Sequence, residues 1–150
     1  MFAKIKSPVG VISIEEKNGA VVRVYLPNEE PDTPEGASEL LERAKKQMTE
    51  YFEGSRKTFD LRLSFGSCTD FMTCVYKELM KIKHGETATY KDIAERVNRP
   101  KAYRAVGLAN NKNPLPIIVP CHRVIGSDGK LTGYAGGLEI KERLLELERG

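Results

Sequence analysis

Residues 1–26 alternate apolar and polar positions with the period of two that marks half-buried strands. Val9-Gly10 and Asn18-Gly19 interrupt the alternation, and Asn-Gly is a strong hairpin signal. The pattern predicts strands near 2–6, 10–16 and 20–26, folded as an antiparallel meander. Pro27 to Ser38 is rich in Pro, Glu and Gly and reads as a loop. Leu40, Leu41, Ala44, Met48, Tyr51 and Phe52 then fall at helical spacing, so a helix should cover one face of the small sheet. Gly54 to Phe65 returns to extended character. Gly66-Ser67 divides the chain into domains 1–65 and 66–150.

The second part changes period. Phe71, Cys74, Val75, Leu79 and Ile82 mark an amphipathic helix that stops before Gly85 and places Cys74 in its core face. Thr89, with Asp92 three residues on, starts another helix with the stripe Tyr90, Ile93, Ala94 and Val97. Asn98-Arg99-Pro100 breaks it. Pro100 suits the first turn of the next helix, whose stripe is Ala102, Ala105, Val106 and Ala109. Two short helices joined tightly read as a helix-turn-helix, although a plain helical hairpin has the same pattern. Arg104 falls opposite the buried stripe. Gly107, one turn later on the same outward face, leaves room for a nucleic-acid backbone. Ser127-Asp128-Gly129-Lys130 reads as a hairpin turn between Val124-Ile125 and Leu131-Thr132, like the wing of a winged helix. Gly136-Gly137 releases a last helix carrying Leu138, Leu144, Leu145 and Leu147. The expected fold is therefore α+β: a small N-terminal antiparallel sheet with a helix, then a C-terminal helical domain with a winged helix-turn-helix.

Composition narrows the classes. The chain has 150 residues, 40% of them hydrophobic and 30% charged, with no Trp. The longest apolar run, Leu115 to Val119, contains a proline and is far too short for a bilayer. Met1-Phe2-Ala3-Lys4 lacks the blocks of a signal peptide. Three cysteines, Cys68, Cys74 and Cys121, are an odd number without zinc-finger spacing. A reducing compartment follows: cytoplasmic, or nuclear in a eukaryote. Charge is uneven along the chain. Residues 1–60 carry 9 Lys+Arg against 11 Asp+Glu, whereas residues 81–123 carry 9 against 3. Attraction to phosphate explains that excess, and so does a solvated basic face.

The candidate chemistry lies in Asn113-Pro114-Leu115-Pro116-Ile117-Ile118-Val119-Pro120-Cys121-His122-Arg123-Val124. A thiol in apolar surroundings is normally inert. An imidazole beside it can take its proton and make a nucleophile. Neighbours on a strand point to opposite faces, so the backbone must bend at Cys121, or a water mediate, for the pair to act together.

Pro120-Cys121-His122-Arg123-Val124 resembles the active-site signature of the O6-alkylguanine-DNA alkyltransferases. The likeness extends through Tyr90, Arg104-Ala105-Val106-Gly107 and Gly133-Tyr134-Ala135-Gly136-Gly137-Leu138 to Glu148. It covers about residues 66 to 150, while the first 60 match only in size and pattern. The resemblance implies that Cys121 accepts the alkyl group, that His122 is its base and that Glu148 polarises the histidine through water. Asn113 resembles the asparagine that braces the active-site turn. Arg104 would fill the gap left by a flipped nucleotide from the minor groove, and Tyr90 would act at the 3′ phosphate. Flipping makes physical sense, because an atom on a stacked base is out of reach of a thiol inside a protein. Tyr90 also lies on an apolar stripe, where a ring can be buried with its hydroxyl exposed. Lys101, Tyr103 and Gly107 complete the expected DNA-binding set. Tyr103 stands where the family commonly has a small residue.

Gly133 to Gly137 resembles the family's lid over the guanine, with Val124, Tyr134, Ala135 and Gly136 as pocket residues. Some members carry a serine at the position of Ala135. Here only the backbone N–H could donate to guanine O6. The implied reaction is irreversible transfer of an alkyl group from O6-alkylguanine in DNA to Cys121, once per molecule. No cofactor is implied, and the zinc ligands of some relatives have no evident equivalents. The implied partner is double-stranded DNA carrying O6-alkylguanine, with no membrane and a monomeric protein. Two other classes share some features. A non-catalytic helix-turn-helix lesion sensor would lack the cysteine, and a thiol hydrolase would not account for the basic helices.

Overall fold

The computed structural model describes residues 1–131, 133–134 and 136–150. They divide into two compact units, Met1–Gly66 and Ser67–Gly150. In the first unit, β1 (Phe2–Ser7), β2 (Gly10–Lys17) and β3 (Ala20–Tyr25) form an antiparallel sheet in the order β1-β2-β3. Register is fixed at both turns. Ser7 opposes Gly10, and Lys17 opposes Ala20 across Asn18-Gly19. Asn18 and Gly19 take φ of 54° and 77°, the paired left-handed conformation that a two-residue hairpin turn demands.

Helix α1 (Glu39–Glu53) packs across all three strands. Ser38 caps its start by accepting from the Leu41 N–H at 3.1 Å, and Gly54, at φ 85°, ends it. Leu41, Ala44, Met48 and Tyr51 are sealed from solvent. Buried Gln47 pairs in both directions with the Asp60 backbone, at 2.8 and 3.0 Å, and ties residues 54–65 to the helix. Extended pairing in that segment is limited to a bridge between Leu63 and Val21.

The second unit contains α2 (Asp70–Leu79), α3 (Tyr90–Arg96), α4 (Tyr103–Asn111) and α5 (Leu138–Arg149). Thr89 and Asp92 form a full capping box at the start of α3. Helices α2, α3 and α4 pack on one another, and the Tyr76 hydroxyl on α2 donates to the Ala109 carbonyl on α4 at 2.8 Å.

Several expectations about faces need correction. Cys74 is exposed, because Val75, Tyr76 and Leu79 occupy the core face of α2. Ala105 is exposed as well, since α4 begins only at Tyr103 and turns Val106, Ala109 and Asn110 inward. Leu138 is exposed, and Lys141 takes a core position on α5. Val124-Ile125 forms β5, which pairs in parallel with β4 (Ala88–Thr89), not with Leu131. The 127–130 turn is closed instead by the Gly126 N–H donating to the Lys130 carbonyl at 2.9 Å. Thr132, expected in the second arm of that hairpin, lies outside the described residues.

Candidate active site

The loop that precedes Cys121 is braced by one amide. Asn113 accepts from the Leu115 N–H at 2.9 Å and donates to the Val119 carbonyl at 2.8 Å, so its side chain closes the loop from both ends. Inside the loop Ile117 sits at φ 74°, a left-handed conformation that β-branched residues avoid. Pro120, at φ −79° and ψ 66°, then bends the chain into a single 3₁₀ turn, Cys121–Arg123. Here the bend that a strand reading requires at Cys121 is supplied. Asn110, buried on α4, donates to the Cys121 carbonyl at 3.2 Å and pins the turn from a second side.

Cys121 is only 3% exposed. Burial pushes its thiol up to about 11. Opposing that shift, in order, are a hydrogen bond from Asn113, the charge of Lys141 and the backbone N–H groups of Cys121 and His122. The resting group is thus a neutral thiol, ringed by donors that favour the thiolate when it forms.

His122 is fully buried, and its Nε2 lies 2.6 Å from Glu148 Oε2. A carboxylate only accepts, so Nε2 carries the proton and Nδ1 keeps its lone pair. Nδ1 is buried without a hydrogen-bond partner among the described residues. Burial lowers the pKa of the imidazole; Glu148 opposes this, and the charges of Arg123 and Lys141 reinforce it. The result is a neutral imidazole with an available acceptor nitrogen next in sequence to the thiol. The His122–Glu148 contact is direct, and at 2.6 Å leaves no space for the water that the resemblance implies.

Glu148 is held as well as holding. Arg123 donates to Oε1 from Nε at 2.7 Å and to Oε2 from Nη2 at 3.0 Å. Its Nη1 donates to the Ile82 carbonyl at 2.7 Å. This fork is the strong, planar form of carboxylate recognition. Gly85, at φ 85°, lets the loop after α2 approach the same end of α5, where a Cβ would stand 3.3 Å from the Glu148 carbonyl.

The other anticipated residues separate into two groups. Tyr90, half-buried at the start of α3, has its ring against Gly107, where an added Cβ would lie 3.8 Å away, and its hydroxyl beside Gly133. Gly107 therefore faces the tyrosine and not outward. Tyr134 and Val124 are buried, Gly136 is half-buried, and Ala135 lies outside the described residues. On the surface, Lys101, Tyr103 and Arg104 are exposed around the start of α4, with the Lys91 ammonium 5.9 Å from the Tyr103 ring centre.

Three residues of the site carried no expectation. Arg123 was legible only as part of the motif, and Asn110 only as a polar residue beside Ala109. Lys141 had a clear signal: it stands three and four positions before Leu144 and Leu145, inside the apolar stripe of α5. Cys68 is half-buried with its thiol pushed up by burial, Cys74 is exposed, and neither is bonded to Cys121. Among the described residues no three His, Cys, Asp or Glu side chains gather as metal ligands.

The chain is similar to known proteins in sequence and in fold. The family described as 6-O-methylguanine DNA methyltransferase, DNA binding domain, matches residues 70–150. A methylated-DNA–protein-cysteine methyltransferase of Methanosarcina mazei is 48% identical over 96% of this chain and 94% of its own. The constitutive methylated-DNA–protein-cysteine methyltransferase of Bacillus subtilis is 44% identical over 99% of this chain and 94% of its own. The crystal structure of Mycobacterium tuberculosis OGT in complex with DNA superposes with a TM-score of 0.92 at 41% identity, covering 99% of this chain and 92% of that one.

Proposed function

Because the chain belongs to the O6-methylguanine DNA methyltransferase family, we infer that it repairs O6-alkylguanine in DNA by moving the alkyl group to Cys121, once per molecule. The observation that carries the residue assignment is the buried sequence of contacts from the Cys121 turn through His122 to Glu148 and Arg123.

The steps follow from the charges. The thiol and Nδ1 of His122 share no direct hydrogen bond, so the thiol proton passes to Nδ1 through a bridging water, and the new imidazolium faces the carboxylate of Glu148. The thiolate sulfur forms a bond to the alkyl carbon as the bond from that carbon to guanine O6 breaks. The electron pair leaves on the guanine, and the proton held by His122 balances that anion. The product is a thioether with no charge to drive the reverse reaction. Because the resting thiol is protonated, it reacts only when an alkyl carbon is held against it.

Residues 66–150 carry DNA binding and transfer in this reading. Lys101, just before α4, and Tyr103 and Arg104 in its first turn present the groove-facing surface, and Tyr90 joins that surface to the site. Tyr134 and Gly136 form the guanine pocket with Val124. The described residues contain no helix long and apolar enough to cross a membrane. We place the protein in the cytoplasm, where thiols stay reduced.

The test is direct. Intact mass measured after incubation with DNA containing one O6-methylguanine should rise by one methylene, on the peptide containing Cys121. Product should plateau at one guanine per protein. Turnover beyond one equivalent, or methyl transfer undiminished in Cys121→Ala, would overturn the assignment.

A further inference from the structure

Lys141 is fully buried, although lysine is almost never sealed from water without a partner. It lies on the core stripe of α5 with Leu144, Leu145 and Glu148. Its Nζ donates to the Val124 carbonyl at 2.6 Å, immediately after the Cys121–Arg123 turn. The ammonium also lies 6.0 Å from the ring centre of Tyr90, the first residue of α3. One buried cation therefore contacts the strand leaving the reactive turn and the aromatic ring beside Gly107.

We propose that Lys141 is a positioning residue for the transfer reaction: it fixes the strand behind the Cys121 turn and supplies the positive charge against which the Cys121 thiolate forms. This rests on the reading of Cys121 as alkyl acceptor. Cys121 and His122 on the turn and Tyr90 on α3 are among the described groups that act on Lys141, with Arg123 and Glu148 one step beyond. Once the thiol proton has reached His122, charges alternate along the series Arg123, Glu148, His122, Cys121 and Lys141: plus, minus, plus, minus, plus. Without Lys141 the series ends on an unbalanced buried sulfur anion, which burial strongly disfavours. Burial lowers the Lys141 ammonium to about 8, while the Cys121 charge raises it, so the cation is present at neutral pH and lost above it.

The experiment compares wild type, Lys141→Arg and Lys141→Met. The quantity read between pH 6 and 10 is the first-order rate of methyl transfer from saturating O6-methylguanine DNA. Lys141→Met should slow transfer at neutral pH by about tenfold or more. Lys141→Arg should keep the neutral-pH rate near wild type. Above pH 8 the wild-type rate should fall below that of the arginine variant, whose charge persists. An unchanged neutral-pH rate in folded Lys141→Met overturns the proposal. If that variant does not fold, profiles of wild type and Lys141→Arg that superpose above pH 8 overturn it instead. A wild-type protein that transfers no methyl group to Cys121 overturns the alkyl-acceptor reading, and the proposal with it.

Discussion

His122 and Glu148 meet at 2.6 Å with both side chains withdrawn from solvent, and the same carboxylate is gripped by two nitrogens of Arg123. The carboxylate thus serves three N–H donors at once. This fixes the imidazole tautomer without help from solvent. It also keeps the buried Glu148 charge compensated before the reaction begins, so the imidazolium formed during proton transfer meets a carboxylate already in place.

Glu148→Gln removes that charge and puts an NH₂ group among three donors. Breaking a buried ion pair by neutralising one partner typically costs about 3–5 kcal/mol. The variant should melt well below wild type. Transfer per folded molecule should slow by roughly 10²-fold or more, within the range of lost acid–base assistance. Single-turnover kinetics at a temperature where the variant is folded check this. A wild-type rate there would remove Glu148 from the proton path.

The buried imidazole gives stability an acid limit. The folded pKa of His122 is lowered, whereas the unfolded group titrates near 6.5. Below about pH 6.5 the unfolded chain binds a proton that the folded one refuses, so stability falls with pH in that range. Melting temperatures between pH 7 and pH 5 should drop, and the drop should be shallower in His122→Gln, which has nothing to titrate. Parallel curves for the two proteins would show that His122 is not the group responsible.

Exposed basic residues make a different prediction. Lys101→Ala should weaken DNA binding alike on all sequences and reduce the slope of log affinity against log salt by about one. Arg104→Ala should slow repair of O6-methylguanine in a duplex far more than reaction with the free alkylated base, which needs no flipping. Equal losses on the two substrates would exclude Arg104 from flipping.

Much of this was legible in the sequence where local chemistry decides. Asn18-Gly19 set the hairpin, and Thr89 with Asp92 set the start of α3, because each signal is completed within four residues. Faces were harder where helix boundaries shift. Starting α4 at Tyr103 placed Ala105 in solvent and left Gly107 against Tyr90. Cys74 read as core because only apolar character was counted, whereas Tyr76, with its hydroxyl bonded to Ala109, takes that space. Lys141 was missed for the opposite reason: despite its place on the apolar stripe, a charged residue reads as a surface position until a buried carbonyl is found for it. The direct His122–Glu148 contact spans 26 positions, a tertiary fact that no local pattern contains.

Ile117 offers the sharpest test of how the Cys121 loop is held. Its φ of 74° costs an L-residue roughly 1–2 kcal/mol, and a β-branched side chain more, yet the residue is 1% exposed and contributes to the core. Ile117→Val keeps the branch and should lose only about 0.5–1.5 kcal/mol. Ile117→Ala removes most of the side chain while keeping the strained backbone, so it should lose about 2–5 kcal/mol. Ile117→Gly removes slightly more packing but relieves the left-handed strain, which outweighs its extra unfolded-state entropy of about 0.5–1 kcal/mol. The predicted order of stability in urea is Val, then Gly, then Ala, the reverse of the usual preference for alanine over glycine. Transfer rate should not follow that order. Glycine frees the segment between Asn113 and Pro120, so the glycine variant should transfer more slowly per folded molecule than the alanine variant despite its greater stability. Alanine more stable than glycine by the customary margin would mean that the loop stores no strain at Ile117.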